Sequence, residues 1–153
     1  MEDKIHGYGI ETWPQNFTYK GNFERGLKEG LGNFEWPDSS KYFGEFKRNN
    51  INGQGTYIQS NGMKYEGNWR KNQVHGVATF TGRDGRKYIG EYENNKKCGY
   101  GVFQWPDGSC YKGYWRDDKQ HGRGILVNQD GVGIVTKWNM GKIELRDRRL
   151  ENV

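Results

Sequence analysis

The sequence predicts an all-β fold: an elongated, single-layer antiparallel β-meander of 23-residue hairpins. Three observations predict it. Tyr19, Tyr42, Tyr65, Tyr88 and Tyr111 stand 23 residues apart with no slippage, and a fixed period of about 20–50 residues marks a repeat array. Inside each repeat, rings and glycines alternate with polar residues at a period of two, the pattern of a strand with one wet face. Clusters of Asn, Asp, Gly, Pro and Ser separate the alternating runs and supply turns.

The elements follow in order. His6-Gly7-Tyr8-Gly9 and Trp13-Pro14 match the second half of a repeat, so a half repeat covers 6–18. Full repeats cover 19–41, 42–64, 65–87, 88–110 and 111–133, and a degenerate cap covers 134–153, all within a single domain, 1–153. Counting from each tyrosine, the third residue is always glycine and the fifth is Phe23, Phe46, Trp69, Tyr92 or Trp115. These share one face of a first strand. A second strand carries glycine at the twelfth position, glycine or Ala78 at the fourteenth, and Phe34, Tyr57, Phe80, Phe103 or Leu126 at the sixteenth. Trp36 and Trp105 stand at the eighteenth. Glycine inside a strand costs stability. Its recurrence beneath rings has a steric reading: bare backbone forms a slot, and a neighbouring ring lies over it. The twenty-first residue is a turn glycine except at Ser39. Past Gly131, Ile134 takes the tyrosine position and Thr136 the glycine position, while Trp138 keeps the period. Ile143 to Leu150 reads as a short charged helix or tail. The count comes to eleven or twelve strands, which twist would coil into a curved ribbon.

Composition bounds the rest. Leu, Ile, Val and Phe together supply 27 of 153 residues, and mean hydropathy is −1.13. Disordered chains combine such poverty with high net charge, but here the net charge is +5 and 15% of residues are aromatic. Rings carry much apolar area each, so the chain folds around a thin core. No run approaches the ~20 apolar residues of a membrane-spanning helix, and Met1-Glu2-Asp3-Lys4 lacks a signal-peptide pattern. Cys98 and Cys110 read as free thiols. A cytoplasmic location is expected.

Catalytic and metal chemistry find no footing. His6, His75 and His121 share the eleventh position, but His75 and His121 lie two repeats apart, about 19 Å at strand spacing, too far to share a metal. Gly-x-Gly steps recur without the third glycine of a dinucleotide site or a phosphate loop. No enzyme activity, cofactor or metal is expected.

Two binding surfaces remain. A lone sheet leaves part of its apolar face uncovered, and uncovered apolar surface marks interaction sites. Curvature would make that face a groove for a partner protein, lined by Tyr19, Phe23, Tyr42, Phe46, Tyr65, Trp69, Tyr88, Tyr92, Tyr111 and Trp115, with Trp36 and Trp105. Alternatively, the rings cover one another and bind nothing. The second surface is basic: Lys41, Lys64 and Lys87 precede tyrosines, and Arg70 and Lys71 stand at the opposite strand ends. Such cations attract anionic lipid or an acidic partner, although Glu24, Glu45, Glu66, Glu91 and Glu93 interrupt the field. Nucleic acid is not expected, since the rings are committed to glycine slots.

The clearest repeat copies are Tyr65-Glu66-Gly67-Asn68-Trp69 with His75-Gly76 and Asp84-Gly85, and Tyr111-Lys112-Gly113-Tyr114-Trp115 with His121-Gly122-Arg123-Gly124 and Asp130-Gly131. Over residues 6 to about 138 the chain resembles the MORN (membrane occupation and recognition nexus) repeat family. The resemblance implies an open solenoid of hairpins and a non-catalytic scaffold or adaptor. It also implies settings: membrane junctions, the cytoskeleton, radial spokes and other axonemal parts of cilia. The expected function is a scaffold binding a protein partner in a cytoskeletal or ciliary assembly. Recruitment to anionic phospholipid membranes, or service as the regulatory part of a longer enzyme such as a lipid kinase, stay open as alternatives.

Overall fold

The computed structural model describes residues 4–150. Its described residues hold thirteen strands and no helix. The strands follow chain order through one antiparallel sheet, as the meander requires. Two compact units divide the chain, Met1–Val74 and His75–Val153. The first holds β1 (Gly7–Thr12), β2 (Thr18–Glu24), β3 (Leu27–Glu35), β4 (Lys41–Lys47), β5 (Asn50–Ile58) and β6 (Lys64–Arg70). The unit boundary falls within β7 (Gln73–Thr81). The second unit continues with β8 (Lys87–Glu93), β9 (Lys96–Gln104), β10 (Cys110–Arg116), β11 (Lys119–Val127), β12 (Gly133–Asn139) and β13 (Lys142–Leu150).

Strict alternation makes these strands. In β2, β4 and β8 every second residue is buried, so each strand has one sealed face, here called the ring face, and a second face open to water.

Two kinds of loop alternate. Within each repeat a two-residue loop joins the strands, at 25–26, 48–49, 71–72, 94–95, 117–118 and 140–141. Both residues of each have positive φ, for example Lys71 at 47° and Asn72 at 66°, which defines a type I′ turn matched to strand twist. The second residue also staples its hairpin to the preceding one. The Asn72 amide donates to the Ile51 carbonyl at 2.9 Å, and its Oδ1 accepts from the Ile51 amide at 2.8 Å. Asn49 with Lys28, and Asp118 with Lys97, repeat the pair of bonds.

Between repeats runs a three-residue loop whose last residue is left-handed. Gly108 (φ 89°) is typical, its amide donating to the Trp105 carbonyl at 3.0 Å. Ser39 adopts the same conformation at φ 69°, so the turn geometry persists without glycine.

Two details differ from the sequence expectation. Residues 143–150 belong to a strand, not to a helix or tail, which raises the count to thirteen. The period simply runs once more: Met140 (φ 47°) and Gly141 (φ 84°) form another I′ turn. β13 then satisfies the edge of β12, with Trp138 opposite Ile143. The twelfth-position glycines also serve a second purpose. Gly53 and Gly99 have φ of 105° and 54° and sit where register shifts between their strand and the preceding one. They are bulges; Glu45 and Glu91 accept the neighbouring amides of Gln54 and Tyr100 at 3.1 and 3.3 Å.

Ser39→Gly tests the left-handed loop position. Relief of a strained side chain, about 1–2 kcal/mol, exceeds the extra unfolded-state freedom of glycine, about 0.4–1 kcal/mol. The variant is therefore expected to gain about 0.5–1 kcal/mol, read as a higher denaturant midpoint at unchanged slope.

Candidate protein-binding face

The ring face is built from tyrosine over glycine. Tyr19, Tyr42, Tyr88 and Tyr111 are fully buried. Each ring lies on a glycine pair that faces across the strands: Gly21 and Gly32, Gly44 and Gly55, Gly90 and Gly101, Gly113 and Gly124. A β-carbon on Gly32, Gly55, Gly101 or Gly124 would overlap the tyrosine ring itself. Each hydroxyl donates to a backbone carbonyl three residues on: Asn22, Glu45, Glu91 and Tyr114, at 2.9 to 3.1 Å.

The second ring of each repeat stands edge-on to these tyrosines. Phe46 lies 5.0 Å from Tyr19 and 5.3 Å from Tyr42, at near-perpendicular angles. Trp115 does the same between Tyr88 and Tyr111, both at 5.4 Å. Edge-to-face pairs are worth about 0.5–1.5 kcal/mol beyond area. The indole N–H of Trp69 donates to Gly55 and that of Trp115 to Gly101, at 3.1 and 3.3 Å. Phe23, Phe46, Trp69, Tyr92 and Trp115 are buried. Tyr65, Trp36 and Trp105 are half-buried. Of the residues proposed for a groove, then, most pack against each other, and Trp36 and Trp105 keep open surface at the strand ends.

Burial dominates the ionisation of these tyrosines. Tyr19 and Tyr111 are pushed up to about 12 by desolvation first, with Glu29 and Tyr100 adding respectively. Tyr42 and Tyr88 are raised in the same direction, again by burial first. Lys97 moves the opposite way. Its ammonium lies 5.5 Å from the Tyr88 ring and 5.6 Å from the Trp115 ring, and burial pulls its pKa down against the opposing pull of Asp118. The Lys28 ammonium also lies over a ring, 4.6 Å from the centre of Trp13, and pairs with Glu11 at 3.1 Å.

The basic set divides. Lys41 and Lys64 begin strands and pair with Glu35 at 3.4 Å and Glu66 at 2.8 Å. Arg70 ends the strand that Lys64 begins, roughly 20 Å away at strand rise, with exposed Lys71 beside it. Lys87 is exposed at the start of β8. Two of the histidines cap turns: His75 Nδ1 accepts from the Asn94 amide at 3.4 Å and His121 Nδ1 from the Met140 amide at 3.3 Å. Glu29 and Asn52 do the same for Arg48 and Lys71, so this position needs an acceptor rather than an imidazole.

The sequence reading missed two features. Phe43, Tyr100 and Tyr114 lie on the second face, 62%, 48% and 53% exposed; their odd offset from the ring-face aromatics of the same strand was the available signal. Leu126 and Ile134 occupy ring positions of the repeat without being rings; they are cross-strand partners and leave the ring face open there.

A family model described as MORN repeat matches residues 1–16, 19–41, 42–64, 65–85, 88–110 and 111–132. No curated protein matches the chain by sequence. Among solved structures, the TCP10 domain of Danio rerio CPAP aligns with a TM-score of 0.54 at 16% identity, covering 93% of this chain and 68% of that one. The SAS-4 TCP domain of Drosophila melanogaster, solved in complex with a proline-rich motif of Ana2, aligns at 0.52 and 11% identity, over 92% of this chain and 84% of that one. The G-box domain of the microcephaly protein CPAP aligns at 0.50 and 14%, over 88% and 78%. At these identities the likeness is one of fold.

Two expected outcomes follow from the ring–glycine contact. Gly101→Ala should cost about 2–3 kcal/mol by overpacking, but less than about 1 kcal/mol in a Tyr88→Leu background, where the ring is gone. A double-mutant cycle by chemical denaturation measures this coupling; equal costs in both backgrounds would refute the contact. The second outcome concerns alkali. The folded pKa of each buried tyrosine lies above its unfolded value near 10, so their contribution is whole below pH 10. It is lost as pH climbs from 10 through about 12. Each tyrosine adds about 1.4 kcal/mol per pH unit in that window. Lys97, with a lowered pKa, works in the opposite sense, one group against four. A cooperative alkaline unfolding with simultaneous tyrosinate absorbance is expected; titration of all tyrosines before unfolding would contradict it.

Proposed function

Because the chain belongs to the MORN repeat family, we propose that it is a non-catalytic scaffold that holds a protein partner on the ring face of its sheet. One observation carries this reading. Trp36 and Trp105 keep open ring surface on a face that, within each unit, no second layer covers among the described residues. Half-open tryptophans backed by rigid packing are typical anchors of protein interfaces. The buried tyrosines then act as the support that holds the anchors, not as the contact surface.

The fold relatives lend support. The Drosophila SAS-4 domain was solved with a bound proline-rich motif, and the CPAP G-box is associated with centriole elongation. A place in a cytoskeletal or ciliary assembly fits that company. Membrane recruitment has weaker footing: Lys41 and Lys64 are ion-paired, and Arg70 and Lys71 lie at the opposite strand ends.

Affinity capture of the full chain with mass spectrometry tests the reading against Trp36→Glu. A defined set of proteins should bind, falling at least about tenfold in the variant, as for the loss of a 1.4 kcal/mol anchor. The unfolding transition, read alongside, separates lost binding from lost fold. Vesicles containing phosphatidylserine should sediment no more chain than neutral vesicles at 0.15 M salt. Strong, salt-sensitive sedimentation without protein capture would favour the membrane alternative and defeat the scaffold.

A further inference from the structure

The row of rings runs unbroken from Tyr19 to Tyr65 in the first unit and breaks after Tyr111 in the second. In the first, Phe34, Tyr42, Tyr57 and Tyr65 are successive cross-strand partners. Three periods later the row reads Phe103, Tyr111, Leu126 and Ile134, again successive partners. Two of the four rings have become aliphatic. Trp36 and Trp105 stand at matching places beside these rows. Trp36 meets the Tyr57 ring edge-on at 5.5 Å. Among the described residues Trp105 meets no such ring from β11, where Leu126 holds the matching position.

A hollow of about 340 Å³ opens there. Among the described residues it is lined by the apolar side chains of Trp105, Leu126, Val127, Val132 and Ile134, with Ser109 and Asn128 as its polar members. The loss of the ring shows in the serine as well. Ser40, the counterpart of Ser109, is 1% exposed, whereas Ser109 is only half-buried. Apolar walls offer water few partners, and the volume lies at the low end of the about 300–1,000 Å³ typical of binding pockets.

We propose that this hollow receives one aromatic side chain, tyrosine or phenylalanine, from a protein partner, in the place that the Tyr57 ring holds in the first unit. The chain supplies the template for its own ligand. At the equivalent position it seats a ring borne on extended backbone, edge-on to a tryptophan. A partner strand or extended segment presents a ring in the same manner. The partner's being a protein rests on the scaffold reading above; the hollow's preference for a ring does not.

The test uses the full chain with labelled Leu, Ile and Val methyl groups, followed by NMR. The probes are p-cresol, N-acetyltyrosinamide and 4-methylcyclohexanol. The first two should shift the Leu126 and Ile134 methyls and saturate in roughly the millimolar range, which so few heavy atoms support. 4-Methylcyclohexanol, without a ring face for Trp105, should bind at least about fivefold more weakly. Leu126→Tyr rebuilds the missing ring and should weaken both aromatic probes at least about tenfold, with the unfolding temperature held or raised. Should that variant not fold, Trp105→Leu replaces it, with a loss of at least about fivefold expected. The proposal is overturned by a silent wild-type chain, by an unchanged response in either folded variant, or by equal binding of 4-methylcyclohexanol. It is equally overturned if p-cresol binds and N-acetyltyrosinamide does not. No probe needs the cellular partner, so a positive titration beside failed capture would defeat the scaffold alone.

Discussion

Everything in this sheet depends on a tyrosine ring lying flat on paired glycines. A single β layer has no opposing sheet to bury its apolar face. Here the opposing layer is replaced by backbone. Tyr88 covers Gly90 and Gly101 and spends its hydroxyl on the Glu91 carbonyl, so a large side chain is buried with its polar tip satisfied. The second ring of each repeat then closes the sides, edge-on. Neither component works alone: a β-carbon would lift the ring, and without the ring the glycines would only weaken the strand.

Repetition of a local unit would still leave hairpins free to slide. The I′ loops remove that freedom. Asn49, Asn72 and Asp118 each exchange two bonds with the preceding hairpin, and the residue at the eleventh position caps the next loop from the other side. Every hairpin is thereby located by its neighbour, the nearest-neighbour logic of repeat proteins. A two-residue loop in left-handed conformation is costly for Lys71 or Met140, and the bonds formed there offset that cost.

Such a design separates support from contact. Rings that hold the sheet are sealed and cannot greet a partner without unfolding it. Rings at the strand ends, where the glycine columns stop, retain surface. Degeneration of the period in the second unit enlarges that surface: Leu126 and Ile134 keep the strand register while vacating ring volume. Variation confined to a few positions of a rigid array alters what the face can hold without altering how it folds.

The sequence alone was enough for the repeat length, the hairpin architecture, the two faces and the family. Each follows from constraints that act within one period: side-chain alternation, glycine under rings, and turn residues at set offsets. Tertiary structure decided what depends on register between strands. It turned residues 143–150 into a thirteenth strand, because an unpaired edge beside a well-formed I′ turn recruits the chain that follows. It assigned the twelfth-position glycines to bulges, a property of two strands compared and not of one. It sealed Tyr19 and left Trp105 open, since exposure is set by what the neighbouring strand places alongside, and two aliphatic residues far apart in meaning along the chain become one hollow only when their strands pair.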